Sequence, residues 1–205
     1  MRRTAILALA TLALAPDGAH AQPEQDIGAW RLSCVQDRMT DRAACLLRAR
    51  EWVEKPTGGT PGLALEVIDR RGRLVPAVTA RDLTVEGMAR GLLALTGTAQ
   101  LRFPPNRLFE MPCGLEGRSV VCAPTPEDAP RAEQELLAAD RVLVRVVGGS
   151  GESSRADPVE IGLGGTKDAL ARFAREALPD AAKATPSPLD AREMLLRLFR
   201  FFGGN

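Results

Sequence analysis

The 205-residue sequence predicts a mainly β fold, an antiparallel β-sandwich or barrel-like domain with two peripheral helices and a C-terminal amphipathic helix. Three observations lead there. Short segments alternating apolar and polar side chains recur between residues 28 and 163, punctuated by Gly, Pro and Asn. Four cysteines fall into two close pairs, as strand-stapling disulfides do. Few connections are long enough to be the crossovers of a parallel sheet.

Residues 1–21 read as a secretory signal peptide, with a basic start at Arg2 and Arg3, an apolar run over residues 5–15, Pro16, and the cleavage pattern Ala19-His20-Ala21. The apolar run is only about half of the roughly 20 residues that a membrane span needs, so removal is expected and no transmembrane segment is predicted. No cysteine follows Ala21 to accept a lipid. Taking these 21 residues from 205 leaves 184, enough for one good-sized core, and residues 22–178 are read as a single disulfide-stapled β domain.

Within it, Trp30, Leu32 and Cys34 alternate with Arg31 and Ser33, and Cys45, Leu47 and Ala49 alternate with Arg48 and Arg50. Residues 36–43 form the polar connection. Leu63, Leu65 and Val67 alternate with Ala64 and Glu66, and Arg71-Gly72 turns the chain into a strand over residues 74–78. Residues 92–95 lead to Thr96-Gly97-Thr98, after which Ala99, Leu101 and Phe103 oppose Gln100 and Arg102. Pro104-Pro105-Asn106 breaks that strand before Phe109, Met111 and Cys113 resume the inward row. Val142, Val144 and Val146, then Val159, Ile161 and Leu163, complete eight or nine strands. One helix is expected between Thr125 and Asp140, with Pro126 or Pro130 in its opening turn. A second is capped by Thr166, carries Leu170, Phe173, Ala174, Ala177 and Leu178 on one face, and ends at Pro179.

Cys34, Cys45, Cys113 and Cys122 permit three pairings, which spacing alone does not decide. Strand parity favours Cys34 with Cys45 and Cys113 with Cys122, each bridge closing a local loop worth about 3 kcal/mol in the chain-entropy model. A structural role is favoured: a redox dithiol usually shows C-x-x-C, and a four-thiolate zinc site has closer ligand pairs. No cofactor or metal is expected.

Residues 179–188 are small, polar and proline-rich, as a linker is, and residues 189–205 form an amphipathic helix. Ser187 and Asp190 can cap it around Pro188, and Leu195, Leu198, Phe199 and Phe202 are its candidate partner-docking residues. This helix either folds back on the domain, docks on a partner or lies on a membrane surface as a peripheral contact.

The only histidine, His20, lies in the signal segment, and there is no tyrosine, which lowers the prior for imidazole-based catalysis and zinc chemistry. Without Arg2, Arg3 and Asp17, the 27 basic and 26 acidic residues become 25 of each, a poor footprint for nucleic acid. G-x-S-x-G and P-loop motifs are absent, and Gly148-Gly149-Ser150-Gly151 reads as a loop. Arg81, Arg90, Arg102, Arg107 and Arg118 are candidates for an acidic partner surface, although a solvated face balanced by carboxylates is favoured. Trp30 and Trp52 are read as core or half-buried sheet residues rather than sugar-stacking platforms.

The chain resembles the invasion-associated locus B family of exported bacterial proteins. The residues carrying the likeness are Gly28-Ala29-Trp30-Arg31-Leu32-Ser33-Cys34 with Cys45, Phe109-Glu110-Met111-Pro112-Cys113 with Cys122-Ala123, Leu136-Leu137 leading into residues 142–147, and Val159-Glu160-Ile161-Gly162-Leu163-Gly164 before Ala169-Leu170. The resemblance covers roughly residues 28–178. It implies a periplasmic or secreted envelope protein, linked in pathogens to host-cell entry, with no catalytic residues to carry over. The expectation is therefore a non-enzymatic protein-binding module acting in host-cell interaction or envelope assembly, with a protein partner in the envelope or on a host cell. The alternative is a periplasmic hydrolase using a carboxylate pair.

Overall fold

A computed structural model of the chain describes residues 23–40, 42–57, 61–84, 97–147 and 157–177. The signal segment, the linker, the C-terminal helix with Leu195, Leu198, Phe199 and Phe202, the stretch 92–95, Arg90 and the loop 148–151 lie outside the described residues.

Ten strands form one antiparallel sheet: β1 (Gln25–Ile27), β2 (Trp30–Asp37), β3 (Arg42–Glu54), β4 (Leu63–Arg70), β5 (Arg73–Ala80), β6 (Thr98–Arg102), β7 (Phe109–Glu116), β8 (Ser119–Cys122), β9 (Arg141–Val147) and β10 (Val159–Gly162). Their spatial order is β1-β2-β3-β4-β5-β8-β7-β6-β9-β10. The sheet is mainly-β and barrel-like without closing. β7 is the strand on which it turns, because its first half pairs with β6 and its second half with β8. The curl brings β10 against β3, so residues far apart in sheet order share one interior. Helices α1 (Ala129–Ala138) and α2 (Thr166–Ala177) pack on that curl, contributing Ala132, Leu136, Ala169, Leu170 and Phe173 to the core.

The alternating rows point inward as their spacing requires. Trp30, Leu32 and Cys34 are buried, as are Leu47 and Ala49 opposite them, and Leu101, Phe103, Phe109, Met111, Val142, Val144 and Ile161 complete the interior. Phe103 and Phe109 meet edge to face at 6.2 Å. Direct cross-strand register places Cys34 opposite Cys45 and Cys113 opposite Cys122, and both pairs are disulfide-bonded.

Several local expectations change. The connection after Cys34 is shorter than expected, since the β2–β3 ladder runs on to Asp37 opposite Arg42. These tip residues are exposed on both faces, Met39 at 92 %, so no apolar period marks them as strand. The Asp37 carboxylate accepts from the Met39 and Thr40 backbone N–H groups and shapes the turn. β1 has only three residues, too few to show a period. Arg71 and Gly72 both take positive φ (59° and 81°), which suits the tight turn between the paired Arg70 and Arg73. The Gly165 carbonyl accepts from Ala169 N–H, so Gly165 and not Thr166 stands at the cap of α2.

Thr166 has another use. Its hydroxyl donates to the Leu163 carbonyl at 2.6 Å and accepts from the Trp30 indole N–H at 2.9 Å, in a buried bridge between β2 and the start of α2. Beside it Ala29 N–H donates to the Gly164 carbonyl (2.7 Å), and Gly28, at φ 59°, abuts Gly164 and Gly165 so closely that a Cβ there would collide with the Gly164 carbonyl.

Trp30→Phe removes one buried hydrogen bond and leaves part of the indole's volume empty, so chemical denaturation should register a loss of about 2–4 kcal/mol. Gly28→Ala meets both a disfavoured left-handed backbone and the collision, and should cost above about 2 kcal/mol. An unchanged denaturation midpoint in Gly28→Ala would contradict the described packing.

At the β1 edge the Arg31 guanidinium hydrogen-bonds Asp26 and holds its carboxyl below the usual value of 3.8, against the opposing effect of desolvation and with the Arg31 and Arg50 charges adding to it. A lowered folded value favours the charged form, so the contribution is present above pH 3.8 and disappears as pH falls through the lower folded value. The difference in melting temperature between the wild type and Asp26→Asn should therefore shrink on going from about pH 6 to about pH 2.

Candidate functional site

Ala64 and Glu66 on β4, Thr79 on β5 and Arg81 just beyond it share the face of the sheet opposite to the Leu65, Val67 and Val78 row. On β3 a register shift between Arg48 and Trp52 accommodates extra residues and keeps both side chains on this same face. These residues, with Leu46, Pro61, Gly62 and Asp82, line a cleft of about 240 Å³.

Glu66 carries the only fully buried charge among the described residues, at 1 % exposure. Arg81 grips it through two groups: Nε donates to Oε2 at 2.8 Å and to Oε1 at 3.0 Å, and Nη2 donates to Oε2 at 2.6 Å. The hydrogen bond to Glu66 holds the guanidinium more firmly protonated than usual, against the effect of burial, and the Glu66, Asp82 and Glu116 charges add to it. The pair is asymmetric, for the Arg81 side chain is 40 % exposed.

Two further groups in the cleft are not committed to the fold. The Thr79 hydroxyl is buried, in a residue 1 % exposed, and has no hydrogen-bond partner. The Arg48 guanidinium lies 4.2 Å from the centroid of the half-buried Trp52 ring, a cation–π contact, and no carboxylate among the described residues pairs with it. Glu66 stands directly opposite Arg48 in register, yet its carboxylate is engaged by Arg81.

The residues singled out from sequence are placed differently from one another. Trp30 is wholly core and Trp52 half-buried at the cleft. The arginines are engaged by different partners: Arg81 is bound to Glu66, Arg102 donates to the Asn106 carbonyl, and Arg118 donates to the Leu83 carbonyl. Cys34 and Cys45 lie close to Glu176, but the two sulfurs are joined in a disulfide and are not thiolate ligands. Sequence reasoning missed Glu66, Thr79 and Arg48 because a half-exposed hairpin was assumed. The usable signal was the nearly unbroken apolar run of residues 74–80, which marks a strand covered on both faces.

Neither a protein-family model nor a curated protein matches the chain by sequence. In three dimensions it is similar to the crystal structure of invasion associated protein B from Bartonella henselae, with a TM-score of 0.47 and 12 % identity over 75 % of this chain and 96 % of that chain. The likeness is distant and assigns no residue of the cleft a role.

Removing Arg81 strands a buried carboxylate, whereas removing Glu66 leaves a guanidinium that water already reaches. Arg81→Met should therefore destabilise by about 3 kcal/mol or more, and Glu66→Met by clearly less. Equal losses in urea denaturation would show that the pair is not asymmetric.

Proposed function

We propose that the protein is an exported, non-enzymatic binding module that works in the periplasm or outside the cell and takes a protein partner in the β3–β4–β5 cleft. The observation that carries this reading is the division of labour there. The one buried carboxylate is engaged by Arg81 through both oxygens, so its charge stabilises shape and is poorly placed to transfer a proton, while Arg48 and Trp52 are presented at the opening. A hydrolase built on a carboxylate pair would have to use Glu66 with Asp82, the two acids of the cleft, and the grip of Arg81 opposes that use.

Two disulfides suit an oxidising compartment, and among the described residues no helix is long and apolar enough to cross a membrane. The resemblance of residues 28–178 to invasion-associated locus B proteins supports a role for such a module in host-cell interaction or envelope assembly, and a distant relation to that family is part of the proposal.

The test is a photoreactive amino acid in place of Trp52, activated in intact exporting cells, with the same group at exposed Asp168 on α2 as control. Discrete protein adducts from position 52 and not from 168 are the expected result. Adducts from neither position, or identical ones from both, would remove the cleft from consideration as the binding site.

A further inference from the structure

We infer that the cleft recognises a carboxylate on an extended segment of the partner, an acidic residue flanked by apolar ones; the inference rests on the binding reading above and specifies its chemistry. Three observations converge on it. Arg48 is a cation held in place by the Trp52 ring with no carboxylate of the described fold to neutralise it. The residue opposite in the β3–β4 register, Glu66, would be its natural counter-ion, but both Glu66 oxygens accept from Arg81. Among the described residues the cleft thus contains a positive group with no ionic complement, and a carboxylate of a partner can supply one.

The second observation is Thr79. A hydroxyl in a residue 1 % exposed, with no partner, has a desolvation cost that the fold does not offset. Thr79 lines the same cleft as Arg48 with its hydroxyl out of reach of water, so a carboxylate oxygen accepts from it only where binding opens that position. Arg81, which also lines the cleft, binds Glu66 through Nε and Nη2, and its Nη1 has no partner among the described residues.

The third is size and lining. At about 240 Å³ the cleft is smaller than the roughly 300–1,000 Å³ of sites that enclose a whole small molecule, and fits one or two side chains of a longer chain. Leu46, Pro61 and Ala64 provide apolar wall for the neighbours of the acidic residue. A sugar ring would stack on an indole face, and the Arg48 guanidinium already covers one, which favours a peptide carboxylate over a uronate.

The experiment uses the full disulfide-bonded protein and two blocked pentapeptides, acetyl-Ala-Leu-Glu-Phe-Ala-amide and its counterpart with central Gln, titrated by NMR, with oligogalacturonate as a third probe. The Glu peptide should bind about tenfold or more tightly than the Gln peptide, and Arg48→Met should abolish the difference. Thr79→Val should weaken the Glu peptide while leaving the denaturation midpoint unchanged or raised, a combination that a purely structural hydroxyl would not give. Equal affinity for the two peptides, binding of neither, a preference that survives Arg48→Met, or preferential binding of oligogalacturonate would overturn the inference. Should the peptides fail while Trp52-position adducts persist, the carboxylate is wrong and the binding module stands; should both fail, the cleft is not the site.

Discussion

The fold depends on a contact between its two ends. A curled sheet with free edges at β1 and β10 is kept in that shape by what joins the first hairpin to the last strand-to-helix step: Ala29 N–H on the Gly164 carbonyl, and the Trp30 indole on Thr166. Close backbone approach is possible only because neither Gly28 nor Gly165 has a Cβ. The indole then completes a buried relay through the Thr166 hydroxyl to the Leu163 carbonyl, satisfying the indole N–H and the hydroxyl that the approach removes from water. Because Trp30 is wholly buried, this small polar bridge and the largest side chain of the core are the same residue.

Curling the sheet has a consequence on its other face. The second face of β4 and β5 is also largely covered, since Ala64, Glu66, Val75, Ala77 and Thr79 are buried there. A small residue is easily accommodated at such a place, whereas a carboxylate needs a partner that reaches in from the surface. Arg81, one residue past the end of β5, has that reach with its head half in water, which moderates the cost of the buried charge.

How far the sequence carried depends on which face is considered. The inward rows from Trp30 to Cys34, Ala99 to Phe103 and Val142 to Val146 were legible because period-two alternation reports one buried face and one wet face. Glu66 broke that rule: in an alternating run it read as the wet position, when the strand has no wet face there. The seam was hidden for a different reason. Gly28 and Gly164-Gly165 are more than a hundred residues apart, and nothing local in either tells that they meet. Thr166 was legible as a helix start by its neighbours, yet a hydroxyl used across the fold instead of along its own helix leaves no sequence trace. β1 is simply shorter than any period can register.

The disulfides acquire a second meaning from the strand order. One ties β2 to β3 and the other ties β8 to β7, so the bridges stand on either side of the β3–β4–β5 ribbon that carries the cleft. Cys45 precedes Arg48 on the same strand by less than one strand length, and Cys122 is paired directly with Val78, the neighbour of Thr79. A ribbon clamped at both flanks loses little freedom when something binds to it, and ordering cost is a main reason that contact area fails to become affinity. The same two bonds therefore also hold Arg48, Trp52 and Thr79 in register, which is the property that the proposed recognition surface would need.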